Sequence, residues 1–484
     1  MTQQRIGYGL SLVALALTSA SASAAITVLQ VEGYDAAVPK YAPVNFAGST
    51  TKTVSGVTYH ALSEVGSVSL STLSNHAFVV RDAMIGADRP SAGLVTNIYN
   101  QNANDYFNSL GTLTGLGIGS RPAAFPTGVK VANFSFVTKY PTAASNEDAR
   151  RRIDYQIHRG DVVYVTGADT YDTNYYSLPW ASLNGVAVSG YSNFNPLAAG
   201  LTRKHADIWA KTASTVNASV GPGPSYTAAT VSGYAVALLD RGQALNIAHS
   251  QQHTVVKSLL MTGANKSISG AAIGGTTWTA NSTSNNNLDT FLGAGQADYN
   301  RSKIILEAGE RTTSVITGGT SLGSSPTINN KNLGWTYHTL STNTSEALVF
   351  TLNSAINDFA ATLNWDTTVA ELSGNNIDTS SQTFSNLDLE LRQVFFNSGS
   401  YSLGGSLGGT LVSASTTDNT EHLYYKGILW AGNYALVVKS NLGDPATTDY
   451  ALSYIAVPEP GTLGLIGLGS AGLLLRRRRQ GGKS

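Results

Sequence analysis

The chain has no cysteine. That excludes a disulfide framework, a thiolate metal site and a cysteine nucleophile. Charge is also sparse: 12% of the 484 residues are charged, and 30 basic residues balance 30 acidic ones. A nucleic-acid partner needs a basic excess that this sequence lacks. Nor does any apolar run reach the ~20 residues of a spanning helix. At 42% hydrophobic the chain is nevertheless too apolar to be disordered. Its length suits roughly three domains, with enough residues for a large core.

Both ends read as addresses. Residues 1–25 have the parts of a secretory signal peptide, namely Arg5, an apolar Leu10 to Leu17 and the A-x-A-like Ala22-Ser23-Ala24. Signal peptidase would therefore act on the chain. At the other end, Val457-Pro458-Glu459-Pro460 precedes an apolar run from Leu463 to Leu475 and the arginines 476–479. Arginines there would hold that end at the cytoplasmic face. The arrangement of 457–484 resembles the PEP-CTERM sorting signal of Gram-negative bacteria. The resemblance implies a transient inner-membrane anchor, cutting by an exosortase, and delivery to the cell surface or extracellular matrix.

Between these ends, residues 26–306 alternate strand and helix signals. Strands are expected at Ile26 to Val31, Val129 to Val137, Val162 to Val165 and Gly185 to Gly190. Helices are expected from Ser145 as N-cap to Gly160 as C′ residue, over about 226–240 and over 254–263. A βαβ order implies a parallel sheet with chemistry at the carboxyl ends of its strands. Asn265 to Asn287 reads as a long surface loop, and Arg150-Arg151-Arg152 as a solvated helix face. Residues 307–456 show short runs (347–352, 360–365, 387–391, 423–425, 434–438) between turn residues, the pattern of an antiparallel β-sandwich domain.

One segment suggests catalysis. In Gly221-Pro222-Gly223-Pro224-Ser225, a tight turn delivers Ser225 to the first position of a helix. Free backbone N–H groups and the positive end of the helix dipole lie there. Serine and proline are also ordinary helix-start residues. Read further, Gly223-Pro224-Ser225-Tyr226-Thr227-Ala228-Ala229-Thr230-Val231-Ser232-Gly233 resembles the serine motif of the subtilase family. Lys204-His205-Ala206-Asp207-Ile208, the helix at 255–261 and Gly293-Ala294-Gly295-Gln296-Ala297-Asp298 resemble flanking segments of that family. Ser74-Asn75-His76-Ala77-Phe78-Val79 stands in the place of the histidine motif. Val28-Leu29-Gln30-Val31-Glu32-Gly33 stands in the place of the strand that ends in the acid, and Thr166-Gly167-Ala168-Asp169 in that of the oxyanion segment.

The resemblance implies a subtilisin-like α/β fold, a mostly parallel sheet with helices on both faces, and a serine endopeptidase acting on polypeptide. In it Ser225 is the nucleophile, His76 the base, Glu32 the orienting carboxylate and Asp169 the oxyanion residue. The departures are Glu32 for Asp, Phe78 where the family is small, Pro224 for Thr, Thr230 for Pro and Asp169 for Asn. The glutamate and the oxyanion aspartate are similar to those of sedolisins. However, Ala36 stands where that family has its second carboxylate. An ionised Asp169 would repel an oxyanion, so an optimum below neutral is expected. The rival reading is a pseudoprotease kept as a surface or matrix binding protein.

The remaining histidines show no metal-binding spacing; His249 and His253 are four apart without a nearby acidic third ligand. The sandwich resembles the β-domains that follow many exported subtilases. Some of these bind Ca²⁺, for which Asp388, Asp418 and Asn419 are the candidate ligands. No other cofactor is implied. Trp335, Trp365 and Trp430 read as core or edge packing rather than a sugar platform.

Overall fold

The computed structural model describes residues 25–33, 42–47, 49–62, 73–108, 116–117, 120–136, 140, 142–168, 178–190, 203, 205–211, 223–268, 277–280, 285–441, 443–445 and 447–457. Residues 1–24 of the expected signal peptide, Ala36, Asp169 and the sorting segment beyond Val457 lie outside these residues.

The first half folds around one eight-stranded sheet. Its strands are β1 (Ile26–Glu32), β2 (Thr51–Val54), β3 (Val57–Leu62), β4 (Val95–Asn102), β5 (Val129–Ser135), β6 (Val163–Ala168), β7 (Val186–Ser189) and β8 (Ile208–Trp209). They stand in the order β2-β3-β4-β1-β5-β6-β7-β8. All neighbours are parallel except the edge hairpin of β2 and β3. Helices cover both faces: α1 (Asn75–Ile85), α2 (Ala103–Asn108), α3 (Ala143–Gly160), α4 (Pro224–Ala244), α5 (His253–Gly263) and α6 (Tyr299–Glu307). Strand parity decides which residue meets which helix. Ile26 and Val28 join the core beneath α1, α4 and α5, while Leu29 and Val31 join that beneath α2 and α3. Both faces being covered, β1 and β6 read as unbroken buried runs rather than alternating ones.

Local details correct the sequence reading. Helix α3 starts one turn earlier than Ser145, because the Thr142 hydroxyl accepts from Ser145 N–H and takes the N-cap role. Gly160 is the last helical residue, and Asp161 carries the left-handed conformation at φ 46°. Ser225 is the second residue of α4 rather than the first; Gly223 is its N-cap and Pro224 opens it. The arginine run is not a solvated face. Arg150 and Arg152 are 3% and 4% exposed. Arg150 pairs with Glu147 and Asp154, and Arg152 with Asp148. Carboxylates one turn away let the guanidinium groups enter the packed layer with their bonds made. The expected loop 265–287 also runs partly inside. Asn286 is buried and its side-chain amide donates to Asp418, while buried Lys266 lies 5.9 Å from the Trp278 ring and 5.0 Å from the Tyr424 ring.

After α6 come two packed β-sheets. One has four strands, 333–341, 447–457, 358–365 and 420–425 in spatial order, all antiparallel. The larger is built around 387–397, 432–440 and 345–352, also antiparallel. Phe359, Ala361 and Leu363 face Leu348, Phe350, Leu389 and Leu436 across the sandwich core. The alternate residues of the same strand do not face water. Ala360, with Trp335, Ala451 and Ile455, belongs to the core of the α/β unit. Ser258 of α5 donates to the Thr362 carbonyl at 2.8 Å. Every residue of α5 is therefore buried, with the sandwich covering its outer side. Trp335 and Trp365 are core, as expected, but Trp430 is 67% exposed.

The junction is also held by charge. His253, the first residue of α5, places Nδ1 2.9 Å from Asp161 and Nε2 2.9 Å from Asp366, which follows strand 358–365. His158 places Nδ1 2.8 Å from the second oxygen of Asp366. Burial alone would lower the His253 pKa, but the charges and hydrogen bonds of the two carboxylates prevail and raise it to about 10. With both ring nitrogens facing carboxylates, this is an imidazolium.

A group whose pKa rises on folding stabilises fully below its unfolded value of ~6.5 and loses that contribution as pH passes its folded value. Asp161 and Asp366, both held below the carboxylate range, act oppositely and lose theirs in acid. The urea midpoint should therefore fall as pH rises from about 6.5 to about 10. His253→Gln should flatten that slope. An unchanged slope in the variant would show that the clamp does not link folding to protonation.

Candidate active site

The site is assembled where β1, β5 and β6 end beside the starts of two helices. Glu32 is the last residue of β1 and fully buried. It shares strand parity with Val28 and Gln30, so it points toward α1. The Ser74 hydroxyl caps α1 by accepting from Ala77 N–H at 3.2 Å, which places His76 in the first helical turn. His76 Nδ1 lies 2.8 Å from Glu32 Oε2. Gln30 Nε2 donates to Glu32 Oε1 and to the Ala77 carbonyl, both at 2.9 Å. The carboxylate is thus tied to its strand and to the helix that carries the imidazole.

The His76 side chain is 42% exposed. Desolvation lowers its pKa; the Glu32 charge and hydrogen bond outweigh this and hold it above the ordinary 6.5. Glu32 accepts a hydrogen bond from Nδ1–H, which leaves Nε2 as the basic nitrogen of the neutral ring. The ring of Tyr226 lies 5.5 Å from that of His76 between centroids, at 40°. Ser225 precedes Tyr226, so the α4 N-terminus sits beside the imidazole. Among the described residues no hydrogen bond joins the Ser225 hydroxyl to His76; the contact between this helix start and the imidazole is made by the Tyr226 ring. The bulky Phe78 is half-buried, with the Arg81 guanidinium over its ring at 4.4 Å.

Close backbone approach holds α4 in place. A Cβ on Gly167 of β6 would lie 2.7 Å from the Pro224 carbonyl oxygen, and one on Gly233 would lie 2.4 Å from that of Met84 in α1. Only glycine lets α4 lie this near both the sheet and α1. On β5, Ser135 Oγ donates to the Ser225 carbonyl at 3.1 Å, and Asn133 Oδ1 accepts from Ser232 Oγ at 3.0 Å. Sequence reasoning missed Gln30, Asn133 and Ser135. Their signal was parity: polar residues at alternate positions of otherwise apolar strands, on the face that meets α1 and α4.

At the helix start, Tyr226 N–H is bonded to the Gly223 carbonyl at 3.0 Å and Pro224 has no N–H. The Ser225 N–H is one of the donors that a helix start leaves without an intrahelical partner.

The other candidates do not gather into a metal site. Among the described residues no group of histidine and carboxylate side chains could hold a metal ion. Asp418 is buried against His205 and Asn286, and Asp388 pairs with Asn441. The Asn419 side-chain amide donates to the Trp365 carbonyl at 2.6 Å and to Asn184 Oδ1 at 3.1 Å, so each of the three Ca²⁺ candidates has a bond to a different group. His253 lies in the clamp described above, and His249 bonds Glu310 at 2.8 Å.

Residues 456–479 match the model of the PEP-CTERM protein-sorting motif. A search among curated proteins finds no match. Solved structures of subtilase-like serine proteases are similar to this chain. The patellamide maturation protease PatA is 17% identical over 59% of this chain and 98% of its own, with a TM-score of 0.36. A serine protease of Aeromonas sobria is 11% identical over 89% and 88%, with a TM-score of 0.34. The serine protease MycP1 of the type VII secretion system is 14% identical over 58% and 83%, with a TM-score of 0.31. Among the described residues no helix is long and apolar enough to cross a membrane.

The α1–α4 contact gives a direct test of this arrangement. Gly233→Ala should cost about 1–3 kcal/mol of stability, because neither backbone can move aside freely. Urea unfolding measures it, and a cost near zero would mean that the helices are not in such close approach.

Proposed function

We propose that this chain is an exported serine endopeptidase of subtilase type, with Ser225 as nucleophile, His76 as general base, Glu32 as its orienting carboxylate and Asp169 facing the oxyanion. The observation that carries the reading is the 2.8 Å bond from His76 to the buried Glu32, set beside the helix start that presents Ser225. Neutral His76 takes the serine proton through Nε2 as the hydroxyl attacks a peptide carbonyl. Glu32 stabilises the imidazolium that forms. The Ser225 N–H supplies one oxyanion donor at the positive end of α4. In such sites the hydroxyl–imidazole bond often tightens only when substrate is bound. The PEP-CTERM match supports export through exosortase processing, with the chain held at the inner membrane before release to the surface or matrix.

The raised His76 pKa changes the expected pH response. The base works only when neutral, so reactivity must climb with pH through a value above 6.5. This displaces the acid optimum that Asp169 alone would suggest.

A fluorophosphonate probe tests the proposal. Labelling should be abolished by Ser225→Ala and should increase from pH 6 through neutrality. Glu32→Gln, which leaves the histidine without its anionic partner, should slow labelling by as much as about 10⁴-fold. Absence of Ser225-dependent label at every pH would leave the pseudoprotease reading, a subtilase-like scaffold used for binding.

A further inference from the structure

Large apolar side chains are not scattered evenly over the described surface. Of ten that are exposed, five are Phe395, Phe396, Leu407, Ile428 and Trp430. They lie at one end of the β-sandwich. Leu407, Ile428 and Trp430 border a single groove of about 480 Å³ together with Tyr425 and Tyr434. Phe395 and Phe396 pair with Ser402 and Tyr401 in a hairpin that runs on past the Val394–Asn433 pairing.

The last described strand ends at the same place. Val457 pairs with Asp358, and Ile356, two residues before Asp358, exchanges both backbone hydrogen bonds with Leu429 at 2.9 Å. Leu429 lies between Ile428 and Trp430. The exposed Lys426 follows Tyr425, which pairs with Phe359. The exposed Lys331 precedes Asn332, whose carbonyl accepts from Ala456 N–H at 2.7 Å. Two cations thus flank the apolar end.

From Val457 the sequence reaches the apolar run at Leu463 in six residues. Even fully extended these span no more than about 20 Å. The far end of strand 447–457 is roughly 35 Å away along the strand. A bilayer that holds the run from Leu463 to Leu475 therefore starts within about 20 Å of the end that carries Trp430, and the far end of the strand is out of its reach. Apolar and aromatic side chains flanked by lysines are what an anionic membrane interface accommodates.

We propose that this end of the sandwich is a membrane-docking face. Trp430, Ile428 and Leu407 enter the headgroup region, with Lys331 and Lys426 beside anionic lipid, while the sorting segment still anchors the chain. The inference rests on the anchor reading of residues 457–484.

The absence of native cysteine makes the test clean. Ile428→Cys in the full chain carries an environment-sensitive fluorophore, and Leu372→Cys, equally exposed at 50%, serves as control. Both are reconstituted into vesicles of phosphatidylethanolamine and phosphatidylglycerol. The label at 428 should shift to the blue, lose its quenching by iodide and gain quenching by brominated lipid; the label at 372 should do none of these. Flotation with the vesicles but a water-exposed label at 428 overturns the docking face and spares the anchor. Failure to float overturns both. A blue shift that grows with protein concentration in detergent alone, without vesicles, would assign the face to a second copy of the chain instead.

Discussion

A carboxylate buried at the end of a strand must find donors, and at Glu32 that requirement fixes the geometry around it. One oxygen takes Gln30 and the other takes His76. Gln30 also holds the Ala77 carbonyl, so strand β1 and helix α1 are locked in register by the same two side chains. The added methylene of glutamate therefore does not leave the imidazole out of reach. The reach of the side chain is absorbed by placing the acid on the last residue of β1 and the histidine in the first turn of α1. The same bond determines the electrostatics, because it is what lifts His76 above its ordinary pKa against the cost of burial.

The second constraint is that α5 has no face left for water. Its inner side packs in the α/β core and its outer side is covered by the four-stranded sheet, through Ser258, Thr262 and Ser453. Trp335 and Ile455 extend the α/β core into the sandwich strands. The β-unit is thus part of what keeps the α/β unit folded. A hydrophobic helix that would be an exposed liability alone becomes the seam between the two, and His253 at its N-terminus adds charge pairing to that seam.

Much of this architecture was legible in the sequence because it follows local periodicity. The buried runs at β1, β5 and β6, the small residues of α4 and the sandwich strands all carry their pattern in adjacent positions. What could not be read depends on distant partners. The arginines at 150–152 look solvated until their acids at 147, 148 and 154 are placed in the same packed layer. Ala360 and Thr362 look like the polar or small side of an amphipathic strand until α5 is laid against them. His253 gives no sign in sequence of a partner as remote as Asp366. The candidate serine, histidine and glutamate come from motif resemblance, whereas Gln30 and Asn133 emerge only when strand parity is matched to the helices above.

Two protonation demands compete in the proposed chemistry. The base must be neutral, while an aspartic side chain facing an oxyanion must keep its proton. With ordinary values of about 3.9 and 6.5, the form that meets both demands never exceeds roughly one molecule in four hundred. Raising the imidazole pKa thins that population further. Two escapes are physically available. Burial can lift the Asp169 pKa above that of His76, as it does for carboxylic acids that donate to oxyanions. Alternatively, the Ser225 N–H carries the oxyanion with Asp169 turned away, which forfeits about 3–4 kcal/mol of stabilisation from the missing donor. The first gives a catalyst with a narrow pH window set between the two groups. The second gives a slow one whose rate follows His76 alone, so the shape of the pH profile distinguishes a retained oxyanion hole from a lost one.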